Sequence, residues 1–377
     1  MSRPVKVLQI TRAAIDGGFD YHREISRAFA GDAFHVTTVF IRGALPQAEI
    51  DRYQGDVVFL DARHRRRYRQ RWIVALKLWL LSRHEPFDLA ICHHHKPAVA
   101  VNTFQKFCNI RRMYYVVHDY NYFSVDDIHG RRRRQFVLNN LNPQCRFIAV
   151  SNALRSNIQH WLPELSEERC LVIPNAIDHV QLAAHTLERQ AACQALEIDP
   201  TAFVFGTTGR LISYKAHGEL IDAYARVHAS MPNSCLVIIG RGKLREKLTA
   251  QIKRLGLEHK IKLIGFLPKA ARYMAAFDVF VFPSHNEPFG LVLLEAMVNR
   301  LPILAADSGA VPEIVPHPDG LFATGDITGL AAKLVDYYRM PAIERQTLGE
   351  MGYRHLQQNF SLEHYRDCYR QLWEEPC

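Results

Sequence analysis

The sequence predicts an α/β protein built from two successive doubly wound, Rossmann-like domains that face each other across a cleft. Three observations carry that expectation. The chain has 377 residues, enough for two domains at roughly 150 residues each. Short apolar, β-branched runs alternate with stretches of helical period, the pattern of βαβ units and a mostly parallel sheet. The alternation then pauses at Ile173-Pro174-Asn175, where proline punctuates the chain, and starts again.

The first series of strands is expected over Val5–Ile10, Asp56–Leu60, Leu89–Cys92, Met113–His118 and Phe147–Val150, with helices such as Tyr21–Ala30 and Asn152–Trp161 between them. The second covers Phe203–Thr208, Ser234–Ile239, Ile261–Gly265, Val279–Phe282 and Pro302–Ala305. This places one domain over residues 1–175 and another over 176–360. Residues 361–377 form a last helical segment, periodic over Ser361–Trp373, which could cross back to the first domain. Ligands of such folds bind outside the carboxyl ends of the strands, so the residues that follow each strand are the candidates for chemistry.

Composition narrows the class. Hydrophobic residues make up 48% and charged residues 23%, the mix of a globular protein rather than a disordered or fibrous one. The net charge is +9, and it is uneven: residues 1–175 hold 26 basic and 16 acidic side chains, the remainder 21 and 22. A basic first half implies an acidic partner there, whether nucleic acid, an anionic membrane surface or a phosphorylated substrate. The first residues lack a secretory apolar stretch, and no apolar run is long enough to span a bilayer, so a cytoplasmic location is expected. Eight scattered cysteines with no CxxC pair read as reduced thiols, not as a disulfide framework or a zinc site.

The most informative window is Asp278–Asn299. A buried strand ends at Pro283, a polar loop follows, and a helix is expected to begin near Phe289-Gly290. Glu287 precedes that helix and Glu295 lies inside it, among Leu291, Val292, Leu293, Leu294, Ala296 and Met297. An ionised carboxylate in such apolar company is costly without a partner. The free amides at the helix start offer an anion or hydroxyl site between the two carboxylates. The plainer alternative is a loop glutamate and a solvated helix-face glutamate.

Glu287-Pro-Phe-Gly-Leu-Val-Leu-Leu-Glu295 resembles the E-x7-E signature of the retaining GT-B glycosyltransferases of family 4. Gly209-Arg210-Leu211 with Lys215 resembles that family's G-R-L…K segment, Gly240-Arg241-Gly242 its second-domain G-x-G turn, and Ile264-Gly265-Phe266 its nucleotide-side strand. Val150-Ser151 and Ile173-Pro174-Asn175 resemble its seam, although Ala176 stands where glycine is usual. The resemblance is strong over 200–315 and looser over 1–175, and it extends to lipopolysaccharide core glycosyltransferases.

The resemblance implies a GT-B fold and a nucleotide-sugar donor, with a UDP-sugar the first expectation. It gives Glu295 the ribose hydroxyls, and Glu287 and His118 the donor sugar. Both carboxylate roles suit the acceptor capacity of that group toward a vicinal diol. Arg210 and Lys215 follow the first strand of the second domain and would offset diphosphate charge with no metal ion and no cofactor. The catalytic set expected is thus Glu287, His118, Arg210 and Lys215. Donor binding adds Gly17, Gly18, Phe266, Phe289, Gly290 and Glu295. Gly17-Gly18 would let backbone amides approach a phosphate, or merely turn the chain. His93-His94-His95 alternate sides on an extended chain and do not readily converge on one metal. No D-x-D pair and no GxxxxGK loop occurs, and the G-x-G at Gly240 lacks the third glycine of a dinucleotide fingerprint.

Arg63–Glu85 crowds basic residues ahead of an apolar stripe, Trp72, Ile73, Leu76, Trp79 and Leu80. That is either a helix lying on anionic lipid or a core helix with a solvated basic rim. Arg131–Arg134 adds a second basic cluster, for phosphate or for solvent. The function expected is hexosyl transfer, with retention, from a nucleotide sugar to an anionic or lipid-linked glycan acceptor, in lipopolysaccharide core or other surface polysaccharide synthesis. The enzyme would be cytoplasmic and could sit peripherally on the inner face of the plasma membrane. Alternatives are a nucleotide-sugar epimerase of GT-B fold, or a nucleic-acid-binding protein; the latter lacks a recognised binding module, so no nucleic acid partner is expected.

Overall fold

The structure, a computed structural model, describes residues 3–13, 21–61, 67–83, 85–105 and 110–374. The chain divides into two compact units, residues 1–175 with 362–377, and residues 176–361.

The first unit contains a seven-stranded sheet of β1 (Val5–Ala13), β2 (Phe34–Arg42), β3 (Asp56–Phe59), β4 (Leu89–His93), β5 (Arg112–Val117), β6 (Arg146–Ala149) and β7 (Cys170–Val172). The order is β3-β2-β1-β4-β5-β6-β7, parallel throughout. Helices cover both faces of such a sheet, so its strands read as unbroken apolar runs: all of β4 and Met113–Val117 of β5 are buried. β2 escaped the sequence reading because His35, Thr37 and Thr38 interrupt its run. Thr37 and Thr38 are nonetheless buried, and Gln9 reaches Thr38 Oγ1 at 3.4 Å. β7 is only three residues long. The C-terminal helix, Leu362–Glu374, packs on the helix Tyr21–Ala28. It buries Tyr365, Tyr369 and Leu372, pairs Arg366 with buried Glu24, and donates from Arg370 Nε to the Ala28 carbonyl at 2.9 Å.

The second unit contains β8 (Phe203–Thr208), β9 (Ser234–Ile239), β10 (Ile261–Gly265), β11 (Val279–Phe282), β12 (Ile303–Asp307) and β13 (Leu321–Ala323), in the order β10-β9-β8-β11-β12-β13. Four of these strands have the bounds read from sequence. Phe205, Leu236, Ile238, Val279 and Val281 are buried in one cluster with Leu220, Tyr224 and Leu334 from the covering helices. Gly240 and Gly242 have a packing role. A Cβ on Gly240 would stand 1.8 Å from the Gly209 carbonyl oxygen and one on Gly242 2.4 Å from that of Leu211, so only glycine lets the loops after β8 and β9 touch.

Each sheet reverses its strand order once, between β1 and β4 in the first unit and between β8 and β11 in the second. Such switch points open a crevice beyond the carboxyl ends of the two strands, because the loops there diverge. No helix among the described residues is long and apolar enough to cross a membrane.

Candidate functional site

At the β8/β11 switch point the loop after β8 carries Arg210, Tyr214 and Lys215, and the loop after β11 carries Ser284, His285 and Glu287. Lys215 Nζ lies 2.5 Å from Glu287 Oε2, and Ser284 Oγ donates to the same oxygen at 2.8 Å. The lysine and glutamate side chains are only 12% and 9% exposed. The ammonium also stands 5.0 Å from the centre of the Phe282 ring, a cation–π contact that suits a partly desolvated lysine. Backbone bonds tie the loops together: His285 N donates to the Tyr214 carbonyl at 2.7 Å and Ala310 N to that of Glu287 at 2.9 Å. The Arg210 guanidinium donates to the Tyr214 hydroxyl at 2.8 Å and is itself exposed. His285 Nε2 is 3.0 Å from Glu219 Oε2. Two elements that adjoin only at a switch point thus present one cation to solvent and hold another against a buried carboxylate.

The helix after β11 is Leu291–Val298, and Gly290 caps it at φ +95°, where a Cβ would be strained. No side chain caps this helix, and Leu293 N donates to the Gly290 carbonyl at 2.8 Å, so the amides ahead of Leu293 are the ones left for a ligand acceptor. Glu295 is half-buried on this helix, and among the described residues no group hydrogen-bonds its carboxylate. Burial pushes that carboxyl up to about 7. Phe289 is buried edge-on against Phe360, with ring centres 5.8 Å apart, so a ligand would meet its backbone rather than its ring. Phe266, just past β10, is 57% exposed, and the Arg241 guanidinium lies 4.4 Å over its ring.

The first unit's switch point is different in kind. Gly17 and Gly18 lie outside the described residues. The ends of β4 and β5 carry His93, His94 and His118, and the helix Tyr21–Ala28 adds His22. His93 Nδ1 is 3.2 Å from His118 Nε2, His22 meets His93 edge-on at 4.4 Å between centroids, and His94 is 5.0 Å from His118. Burial is the main cause holding all four imidazoles neutral. It takes His22 down to about 3 and drives His93 and His118 well below the usual range, and neighbouring imidazoles add to it. His94 is lowered less freely, since Asp119 opposes the burial. Its backbone sits at φ 67°, ψ 173°, a region almost reserved for glycine. No group of three or more metal-ligating side chains converges among the described residues.

Of the residues expected from sequence, Arg210, Lys215 and Glu287 meet at one crevice. Gly290 and Glu295 lie on the helix that leaves it, Phe266 stands two strands away, and His118 belongs to the other unit. Sequence reasoning missed Ser284, Tyr214 and Arg241, and it named the histidine run without pairing His93 to His118. Ser284 was legible in principle, since a hydroxyl directly after a buried strand has few partners other than the loop it starts. On the helix Arg67–Ser82, Val74, Ala75 and Leu78 face inward, while Trp72, Leu76, Trp79, Leu80 and Leu81 are 41–57% exposed. The apolar stripe is therefore largely outside the core. The basic residues 63, 65 and 66, and the side chains of 67–71, lie outside the described ones.

Residues 15–181 match the family described as Glycosyltransferase Family 4, and residues 188–355 match the family described as Glycosyl transferases group 1. Among curated proteins, the chain is 33% identical over 180 residues to a Campylobacter jejuni N-acetylgalactosaminyltransferase acting on a diphospho-undecaprenol-linked sugar, covering 47% of this chain and 46% of that one. It is 33% identical over 171 residues to the lipopolysaccharide core biosynthesis mannosyltransferase LpcC of Rhizobium leguminosarum, covering 44% and 48%. The chain thus spans about half the length of these relatives. Among solved structures, Anabaena HepE in complex with UDP and glucose superposes with a TM-score of 0.80 at 22% identity, covering 98% of this chain and 99% of that one. WaaG, a glycosyltransferase involved in lipopolysaccharide biosynthesis, gives 0.72 at 15% identity, covering 97% and 99%.

Proposed function

From a chain that is a GT-B glycosyltransferase of the group 1/family 4 type, we propose hexosyl transfer from a nucleotide sugar, a UDP-sugar first, to a glycan or lipid-linked acceptor with retention of configuration. The observation that carries the reading is the Lys215–Glu287–Ser284 cluster at the β8/β11 switch point, with Arg210 exposed beside it and Glu295 held unpaired on the next helix. A diphosphate needs cations where the leaving group gathers charge, and Arg210 and Lys215 supply two. A ribose diol needs a carboxylate with unused acceptor capacity, and Glu295 has it. Glu287, already fixed by Lys215 and Ser284, is pre-positioned for a sugar hydroxyl. The departing phosphate oxygen takes the proton of the incoming hydroxyl, and no protein nucleophile is assigned. HepE, a structural relative, binds UDP and glucose.

The acceptor falls to the basic first unit. Relatives that act on lipopolysaccharide core or on a diphospho-undecaprenol substrate support an anionic, lipid-linked glycan and a place in cell-surface polysaccharide synthesis. The exposed Trp72, Leu76, Trp79 and Leu80 favour a helix resting on the cytoplasmic face of an anionic membrane over a core helix. The test is a panel of nucleotide sugars, with nucleoside diphosphate release followed in the presence of EDTA. One donor should turn over, and activity should survive the chelator. Epimerised sugar without transfer, or no release from any donor, overturns the reading; activity lost to EDTA and restored by magnesium overturns its metal-free part.

A further inference from the structure

His93 ends β4 and His118 directly follows β5, and the register of these parallel neighbours sets His93 beside Val116. His93 is fully buried, whereas His118 is half-buried. His93 Nδ1 lies 3.2 Å from His118 Nε2, with the two rings 18° from parallel and their centres 5.5 Å apart. Near-parallel rings at that separation, with nitrogens this close, meet edge to edge. The contact is therefore an in-plane hydrogen bond and not a face-to-face stack. The other nitrogen of His93, Nε2, is buried and has no hydrogen-bond partner among the described residues. Around it stand the His22 ring, edge-on at 4.4 Å, and the Tyr21 ring at 5.3 Å between centres.

Burial holds both imidazoles neutral, so each has one N–H and one bare nitrogen. A single bond between them leaves two arrangements. If His118 donated from Nε2, His93 would carry its own proton on Nε2, buried with nothing to receive it. If His93 donates from Nδ1, its Nε2 is only an unused lone pair. Buried N–H groups without an acceptor are the rarer of these two defects in folded chains. The second arrangement makes His118 Nε2 an acceptor and puts the His118 proton on Nδ1, the nitrogen that His93 leaves for a ligand. A free neutral histidine side chain prefers its proton on Nε2, so the bond from His93 reverses the default. The partner of one ring nitrogen decides what the other can do.

We infer that His93 is a positioning residue: its Nδ1–H fixes His118 with the proton on Nδ1, and so makes His118 a hydrogen-bond donor, not a base, toward a substrate oxygen. The inference rests on the transfer reading above for a sugar hydroxyl at His118, and its test separates the two. The first arm needs no substrate. Long-range proton–nitrogen correlation spectra of the whole chain, with isotope-labelled histidine rings, report which nitrogen of each ring is protonated. His118→Gln identifies the His118 signals by their loss. His118 should show a protonated Nδ1 and a bare Nε2, and should revert to Nε2–H in His93→Leu. His93→Asn, whose amide N–H can stand in for the Nδ1–H, should keep the original tautomer. The second arm is transfer kinetics with the donor that the nucleotide-sugar panel identifies. His93→Leu should lower kcat/KM about tenfold, the scale of one neutral hydrogen bond, and His93→Asn should recover most of it. Because His93 acts through His118, adding His93→Leu to His118→Phe should cost nothing further. A His118 proton on Nε2 in the original chain, or one tautomer shared by the original chain and His93→Leu, overturns the inference. So does a kinetic loss that adds to that of His118→Phe, which would make His93 merely structural. Silence from every donor overturns the transfer reading instead, and the spectra still decide how His93 and His118 share their protons.

Discussion

The two switch points of this chain occupy equivalent places in equivalent sheets, yet one is built from charge and the other from neutral rings. At β8/β11 a lysine and a glutamate meet at 2.5 Å, with an exposed arginine nearby. At β1/β4 four imidazoles meet, from the helix after β1 and the ends of β4 and β5, and burial keeps them neutral. The topology only brings loops together; the residues decide what each crevice can hold. Fixed charges suit a ligand that is itself charged, such as a diphosphate. Neutral imidazoles, each a donor and an acceptor, suit uncharged hydroxyls. The same fold element thus serves two kinds of recognition, and substitutions can show how far the contrast goes.

The largest effect should come from removing one half of the buried ion pair. Among the described residues, Lys215→Met leaves buried Glu287 with only the Ser284 hydroxyl to hold its carboxylate. Breaking a buried pair from one side costs about 3–5 kcal/mol, because an uncompensated charge stays behind. The equivalent cut in the other crevice, His118→Phe, strands a neutral His93 nitrogen and should cost about 1–3 kcal/mol. Urea unfolding of both variants compares the two directly. Equal losses would show that the contrast in charge has no energetic consequence. Restoring much of the stability with Lys215→Met, Glu287→Leu would confirm that the stranded charge, rather than lost packing, was the cause.

A middle-sized effect separates the two regions by pH, and the signs are opposite. Glu295 holds its proton up to about 7 in the folded chain, against 4.5 when unfolded. The folded state then carries more protons than the unfolded one between those values, so its stability is full below pH 4.5 and falls as pH rises toward 7. The loss is bounded at about 3 kcal/mol by the shift. The buried histidines act the other way. The unfolded chain takes up their protons first, so their contribution is complete above pH 6.5 and lost as pH falls, for His22 down to about 3. Glu295→Gln should therefore stabilise the chain at pH 8 and change little at pH 4, whereas His93→Phe should soften the acid limb alone. Uridine binding gives the functional counterpart. A diol prefers the ionised carboxylate, so uridine should bind more tightly as pH rises through 7, and this dependence should vanish in Glu295→Gln. A Glu295→Gln profile parallel to that of the original chain would refute the assignment.

What could be read from sequence follows the same division. In the second unit β9 and β11 are dominated by Leu, Val, Ile and Phe, and Phe203–Thr208 and its neighbours showed their bounds directly even though Lys262 interrupts β10, while the three-residue β13 went unread. In the first unit β2 hides behind buried threonines, and its reading needed the partner Gln9 that only the fold supplies. Glu287, Glu295, Arg210 and Lys215 stood out because charge in or beside an apolar segment is conspicuous. Ser284 and Tyr214 did not, because a single hydroxyl in a loop resembles any turn residue. The Lys215–Glu287 contact spans 72 positions and arises only once the strand order places β8 beside β11.

The smallest effect concerns backbone strain, which both crevices carry. His94 follows β4 at φ 67°, ψ 173°, and Ala216 follows the Lys215 turn at φ 51°, ψ 28°. At position 94 the comparison of His94→Gly with His94→Ala cancels the lost ring and reads the strain alone. Glycine should be favoured there by about 1–3 kcal/mol. At position 216 the left-handed conformation costs an alanine about 1–2 kcal/mol, while glycine gives up about 0.5–1 kcal/mol to chain entropy, and the buried methyl is lost as well. Ala216→Gly should therefore raise stability by less than about 1 kcal/mol, visible as a small upward shift of the urea midpoint with an unchanged slope. The sign is what matters. A gain means that the chain holds Lys215 against Glu287 at the expense of local strain, as His94 holds its ring beside His118. A loss means that the methyl's packing outweighs the backbone, and that only the histidine crevice stores strain.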